Sequence, residues 1–87
     1  MKAAEWIDRV RDARGWVSDY RVAKELGFGA NTISAYRRHG STFDETIAIK
    51  IADAMSIPRE VVILDQVIER AKTGEAREAL ARLMPSF

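Results

Sequence analysis

Apolar residues recur at spacings of three and four along the chain, and no segment alternates apolar and polar residues as a half-buried strand would. The pattern predicts an all-α protein of five or six short helices, punctuated at Gly15, Gly27 with Gly29, His39-Gly40, Ser56-Ile57-Pro58 and Thr73-Gly74. A first helix over about residues 2–14 turns Ala3, Ile7, Val10 and Ala13 inward, with Trp6 alongside. Ser18 is placed to cap a second helix, residues 19–26, whose inner face is Val22, Ala23 and Leu26. A third helix, residues 30–39, turns Ile33 and Tyr36 inward. Thr42 and Glu45 have the spacing of a capping box at the head of a fourth helix with Ile47, Ala48, Ile51, Ala54 and Met55 on its core face. Pro58 stands near the first turn of a fifth helix that ends by Gly74. The last segment spaces Ala76, Leu80, Leu83, Met84 and Phe87 as a narrow apolar stripe.

The stretch from Ser18 to Arg38 is the most informative. Two short helices separated only by Gly27-Phe28-Gly29 must cross steeply, and Gly27 can take the left-handed conformation that such a turn demands. Ala23 is small enough to let the third helix approach. If Ile33 and Tyr36 point inward, a step of about 100° per residue puts Asn31, Ser34, Ala35 and Arg38 on the opposite face. That face holds no acid and no large aliphatic residue. Asn31 can pair bidentately with adenine, Ser34 can donate or accept, Ala35 can touch a thymine methyl, and Arg38 can reach guanine or phosphate. The pattern is that of a surface able to read the major groove of double-stranded DNA.

The balance of charge agrees. The net charge is +1, but residues 1–42 carry eight Lys and Arg against five acids, whereas residues 43–87 carry six against eight. A basic half and an acidic half suit a polyanion bound on one side.

Ser18-Asp19-Tyr20-Arg21-Val22-Ala23-Lys24-Glu25-Leu26-Gly27 followed by Asn31-Thr32-Ile33-Ser34-Ala35-Tyr36-Arg37-Arg38 resembles the helix-turn-helix of the lambda-repressor and Cro family, particularly small phage and prophage regulators. The likeness runs on through Ala48-Ile49-Lys50-Ile51-Ala52-Asp53-Ala54-Met55 and Ile57-Pro58, and covers roughly residues 3–70. The resemblance implies a compact five- or six-helix DNA-binding domain over residues 1–73 that binds operator DNA, usually as a dimer, with its third helix in the major groove. Base reading then falls to Asn31, Ser34, Ala35 and Arg38, and the DNA backbone to Ser18, Lys24, Ala30, Thr32, Arg37 and His39. Gly29 stands where the family commonly has a Ser or Thr cap, and Ala30 and Asn31 replace its frequent glutamines, so the operator cannot be borrowed from any relative.

Other chemistries find little to build on. The 87-residue chain has no Cys and a single His, which removes disulfides, thiolate nucleophiles and Cys-ligated metals, and no H-E-x-x-H motif is present. His39 lies beside Gly40 at a helix end, where an imidazolium favours the helix dipole and can touch phosphate. Asp8 and Asp12 read as a solvated face, and Gly27-Phe28-Gly29 follows a helix and lacks the Lys and Ser/Thr of a phosphate loop. No enzyme activity, metal, cofactor or small-molecule substrate is expected. The longest aliphatic run, Val61 to Leu64, falls far short of the roughly 20 residues that span a bilayer, so the expectation is a cytoplasmic protein without a membrane partner.

The C-terminal third carries more apolar surface than one small core needs. Val61, Ile63, Leu64, Val67, Ile68 and Ala71 spread over nearly half of the fifth helix, with Val62 outside even that arc and Ile49 off the core face of the fourth. A homodimer seam would cover that surface. Ile63, Val67, Leu80, Leu83, Met84 and Phe87 are its expected residues, with 74–87 as a dimerising tail or the fifth helix alone as the seam. The expected function is therefore a dimeric phage-type repressor at a palindromic operator. The alternative is a protein–protein module on the same scaffold, such as an antitoxin or an anti-repressor-binding protein.

Overall fold

The computed structural model describes residues 1–84, and of Ala30 only the backbone. Its described residues form six helices and no strand: α1 (Ala3–Arg14), α2 (Asp19–Leu26), α3 (Ala30–His39), α4 (Glu45–Met55), α5 (Arg59–Arg70) and α6 (Gly74–Ala81). The helix starts are written locally. Ser18 Oγ accepts from the Arg21 amide at 3.1 Å, and Thr73 Oγ1 accepts from the Ala76 amide at 3.1 Å. The Glu5 carboxylate reaches back to the amide of Lys2 at 3.2 Å.

The cap of α4 corrects the expectation of a Thr42–Glu45 box. Asp44 is the cap, its Oδ1 accepting from the Ile47 amide at 2.9 Å. Thr42 Oγ1 instead accepts from Arg70 at 3.2 Å. Phe43, the residue before the cap, is fully buried, as is Ala48 four positions after it. These are the two positions of a hydrophobic staple, which sets the angle at which the chain enters α4.

One core joins α1 to α5. Trp6, Ile7 and Val10 of α1 meet Val22 and Ala23 of α2, Ile33 of α3, Phe43, Ala48, Ile51 and Ala52 around α4, and Val61 and Val62 of α5. Two apolar assignments change. Ala13 is exposed, because α1 ends at Gly15 before its last turn meets a neighbour. Val62 is fully buried, since α5 begins at Arg59 and packs most extensively on α4, which turns both Val61 and Val62 into the core. α5 also stops earlier than expected, at Arg70 rather than near Gly74, because Ala71 leaves the helix in an extended conformation.

A polar seam closes the far side of this core. Gln66 is 1% exposed, accepts the Phe43 amide on Oε1 at 2.7 Å, and donates from Nε2 to the Met1 carbonyl at 2.8 Å. A buried amide so placed satisfies backbone groups of two other segments and leaves nothing orphaned. Beyond it α6 packs on α5, contributing no fully buried residue of its own. No helix among the described residues is long and apolar enough to cross a membrane.

Candidate nucleic-acid interface

α2 and α3 are joined by Gly27-Phe28-Gly29. Gly27 adopts φ +78°, a left-handed conformation that a side chain resists, and the Phe28 amide returns to the Ala23 carbonyl at 2.8 Å. Lys50 of α4 braces the turn from behind. Its ammonium donates to the Leu26 carbonyl at 3.1 Å and lies 5.8 Å from the centroid of the Phe28 ring. A cation at a helix C-terminus and over an aromatic face is favourable on both counts.

α3 is fixed inward by few groups. Ile33 is buried and Tyr36 half-buried, its ring meeting Phe43 edge-on at 5.1 Å and 86°. Burial, and secondarily the charge of Asp44, pushes the Tyr36 hydroxyl above its ordinary pKa, so it stays a neutral phenol under ordinary conditions. Outward, Asn31, Ser34 and Arg38 are exposed, and Ala35 and Thr32 are half-buried. Among the described residues, the side chains of Asn31, Ser34 and Arg38 make no hydrogen bond or ion pair. No acid occurs anywhere on α3, and Arg37, Arg38 and His39 fill its last turn. Gly29 at its head supplies no side-chain cap.

The residues expected at a DNA backbone divide into four groups. Lys24 and His39 are exposed and have no ion-pair partner among the described residues. Ser18 caps α2 with its hydroxyl, and Thr32 is half-buried in the first turn of α3, its backbone amide on the Gly29 carbonyl at 3.0 Å. Ala30 opens α3, and its side chain lies outside the described set. Arg37 departs from expectation. Its Nε and Nη2 donate to the two carboxylate oxygens of Asp19 at 2.6 and 2.9 Å, and Nη2 donates also to Asp8 at 2.8 Å. This exposed guanidinium is engaged within the fold through Nε and Nη2. The Arg37 fork, helped by Arg11, holds the Asp19 carboxyl below its ordinary pKa against the opposing effect of burial.

The expected dimer residues also divide. Ile63 and Met84 are half-buried against the chain's own core, and Val67 and Leu80 are half-buried as well. Leu83 is 69% exposed, while Phe87 lies outside the described residues. Two other large apolar side chains stand out in solvent, Val17 at 87% and Tyr20 at 69%, on the loop before α2 and its first turn. Neither breaks a periodic pattern, so nothing in the sequence marks them out.

No pocket opens among the described residues, so the candidate site is a convex helix face rather than a cleft. Comparison of the chain with protein-family models, curated proteins and solved structures finds no match in any of the three.

Proposed function

We propose that the chain is a sequence-specific DNA-binding regulator of transcription, in which α2 and α3 act as a helix-turn-helix and α3 enters the major groove. One observation carries the reading. α3 presents Asn31, Ser34 and Arg38 to solvent on an acid-free face, unbonded within the described structure, while Ile33 and Tyr36 anchor its other side. Amide, hydroxyl and guanidinium groups at helical spacing match the donor and acceptor pattern of base edges, and Ala35 leaves room between them for close approach. Lys24 and His39 flank the face as phosphate-directed groups, with Arg38 able to serve bases or phosphate. In this reading the protein is a small repressor of the phage type, and occupation of a promoter excludes polymerase.

The same reading makes the active unit a homodimer. α6 rests on α5 without burying any residue fully and leaves Leu83 in solvent, so a second copy laid along α5 and α6 gains apolar contact there. Such a dimer sets two α3 helices about 34 to 36 Å apart, one turn of B-DNA. Selection of bound sequences from random duplexes tests the proposal. The expected product is a palindrome with half-sites about ten base pairs apart. Binding that enriches no sequence overturns base reading, and no binding at low salt overturns DNA recognition altogether.

A second reading, a protein-binding module on this scaffold, draws on Val17 and Tyr20, whose exposure a DNA backbone does not require. It predicts a stable complex with another protein that Val17→Ser with Tyr20→Ser abolishes, in a chain that shows no affinity for duplex DNA.

A further inference from the structure

α3 has a geometric weakness. Its inward anchors, Ile33 and Tyr36, are three residues apart and lie along one line of the helix surface, and Gly29 adds no side-chain bond at its head. Two anchors in a line hold a helix against its neighbours but leave it free to roll about that line. The direction in which Asn31, Ser34 and Arg38 face depends on that roll.

Arg37 lies off the line. Counting about 100° per residue, it stands about 70° from the Ile33–Tyr36 direction and about 110° from the centre of the outward face. There it is gripped from two other helices. Asp19, the first residue of α2, takes its Nε and Nη2 at 2.6 and 2.9 Å, and Asp8 in the middle of α1 takes Nη2 at 2.8 Å. Arg11 of α1 extends the network with a contact to Asp19 at 3.3 Å. Partly exposed ion pairs add little to stability, but a planar guanidinium held by a two-point fork and a third contact has one orientation. The group carries two positive and two negative side chains, so it offers a polyanion no net charge.

We propose that Arg37 is a positioning residue: its clasp on Asp8 and Asp19 fixes the roll of α3 and so aims Asn31, Ser34 and Arg38. This rests on the reading of α3 as the DNA-reading helix. It also reverses the ordinary expectation for an acid near a DNA-binding surface, whose removal should tighten binding.

The test compares the unaltered chain, the double variant Asp8→Asn with Asp19→Asn, and Arg37→Lys. Each is titrated with the selected duplex and with a random duplex of equal length over a range of salt. The clasp predicts that the double variant, though more positive, binds the selected duplex about tenfold more weakly, with random-duplex affinity and salt slope preserved. Arg37→Lys keeps the charge but loses the fork, and should show the same loss of discrimination. If Arg37 were a phosphate ligand released by removing the acids, both affinities would rise and the salt slope would steepen, and the proposal fails.

A measurement without DNA separates the clasp from the function. In the free double variant, backbone amide exchange in α3 should speed relative to that in α5. Unchanged α3 exchange overturns the clasp whatever the chain binds. If exchange speeds as expected but the unaltered chain binds no duplex, the clasp stands, the DNA reading falls, and the aiming role falls with it.

Discussion

Trp6 donates its indole N–H to Asp65 across 2.7 Å, tying the buried face of α1 to the middle of α5. Asp65 also accepts from the neighbouring Gln66 Nε2 at 3.1 Å, so one carboxylate links the aromatic anchor of α1 to the amide that satisfies Phe43 and Met1. The core is thereby closed by polar groups with specific partners as well as by apolar contact.

Gln66→Leu tests the seam. Leucine nearly fills the space but leaves the buried Phe43 amide without an acceptor, so a loss of about 1 to 3 kcal/mol is expected. Chemical denaturation measures it. An unchanged midpoint with unchanged slope would mean that water replaces the amide at no cost.

Acid should weaken the contact of α1 and α2 with α3. Asp19 titrates below its ordinary value of 3.8 in the folded chain because Arg37 holds its ionised form. A depressed carboxylate contributes stability that is fully present above its unfolded pKa and is lost as the pH falls through the lower folded one. Asp19→Asn should therefore be less stable than the unaltered chain at neutral pH, with the two curves converging below pH 3.8. Thermal melts from pH 7 downward check the sign; a gap that widens with acid contradicts it.

Ser56 ends α4 with φ +57°, the one left-handed residue other than glycine among those described. That conformation suits glycine at the residue after a helix. Ser56→Gly should gain about 0.5 to 1 kcal/mol net of glycine's greater freedom when unfolded. For a domain of this size each kcal/mol raises Tm by roughly 4 to 8 °C. A lower Tm would show that the Ser56 side chain stabilises the turn in some other way.

If α3 reads DNA as proposed, salt and sequence separate its two kinds of contact. With Lys24 and Arg38 as the phosphate-directed cations, a dimer neutralises about four phosphates and log K should fall against log salt with a slope near −4. Asn31→Ala should cost about 1 to 3 kcal/mol on the selected duplex, relax one base position and spare random DNA. Lys24→Ala should weaken both duplexes alike and flatten the slope. Equal losses from both variants on both duplexes would deny Asn31 a reading role.

What could be read from the chain was what is written within a few residues. The Ser18 cap, the turn at Gly27 and the inward pair Ile33 and Tyr36 all follow from spacing, and so do the first four helices, whereas α5 stops short at Arg70 and α6 at Ala81. The cap of α4 was not legible: Asp44 serves it, while Thr42 is engaged by Arg70 from a distant helix. Phe43 was missed because a single aromatic residue between helices has no period, though Phe-Asp ahead of an apolar run is a staple signal. Gln66 reads as a solvent-facing helix residue until the Phe43 amide is seen above it. Arg37 looked like a free cation because its partners are 29 and 18 residues away in sequence. Charge composition counts such a side chain but says nothing of whether it is already spent.

The bond from Gln66 to the Met1 carbonyl joins positions 65 residues apart. During synthesis, α1 to α4 leave the ribosome before α5, so the Phe43 amide and the Met1 carbonyl lack their Gln66 partner until the fifth helix arrives. The chain's first residue and the entry to α4 therefore stay unjoined at this seam until the fifth helix has been made. A ribosome stalled before that point would hold the first four helices without the one side chain that joins Met1 to Phe43.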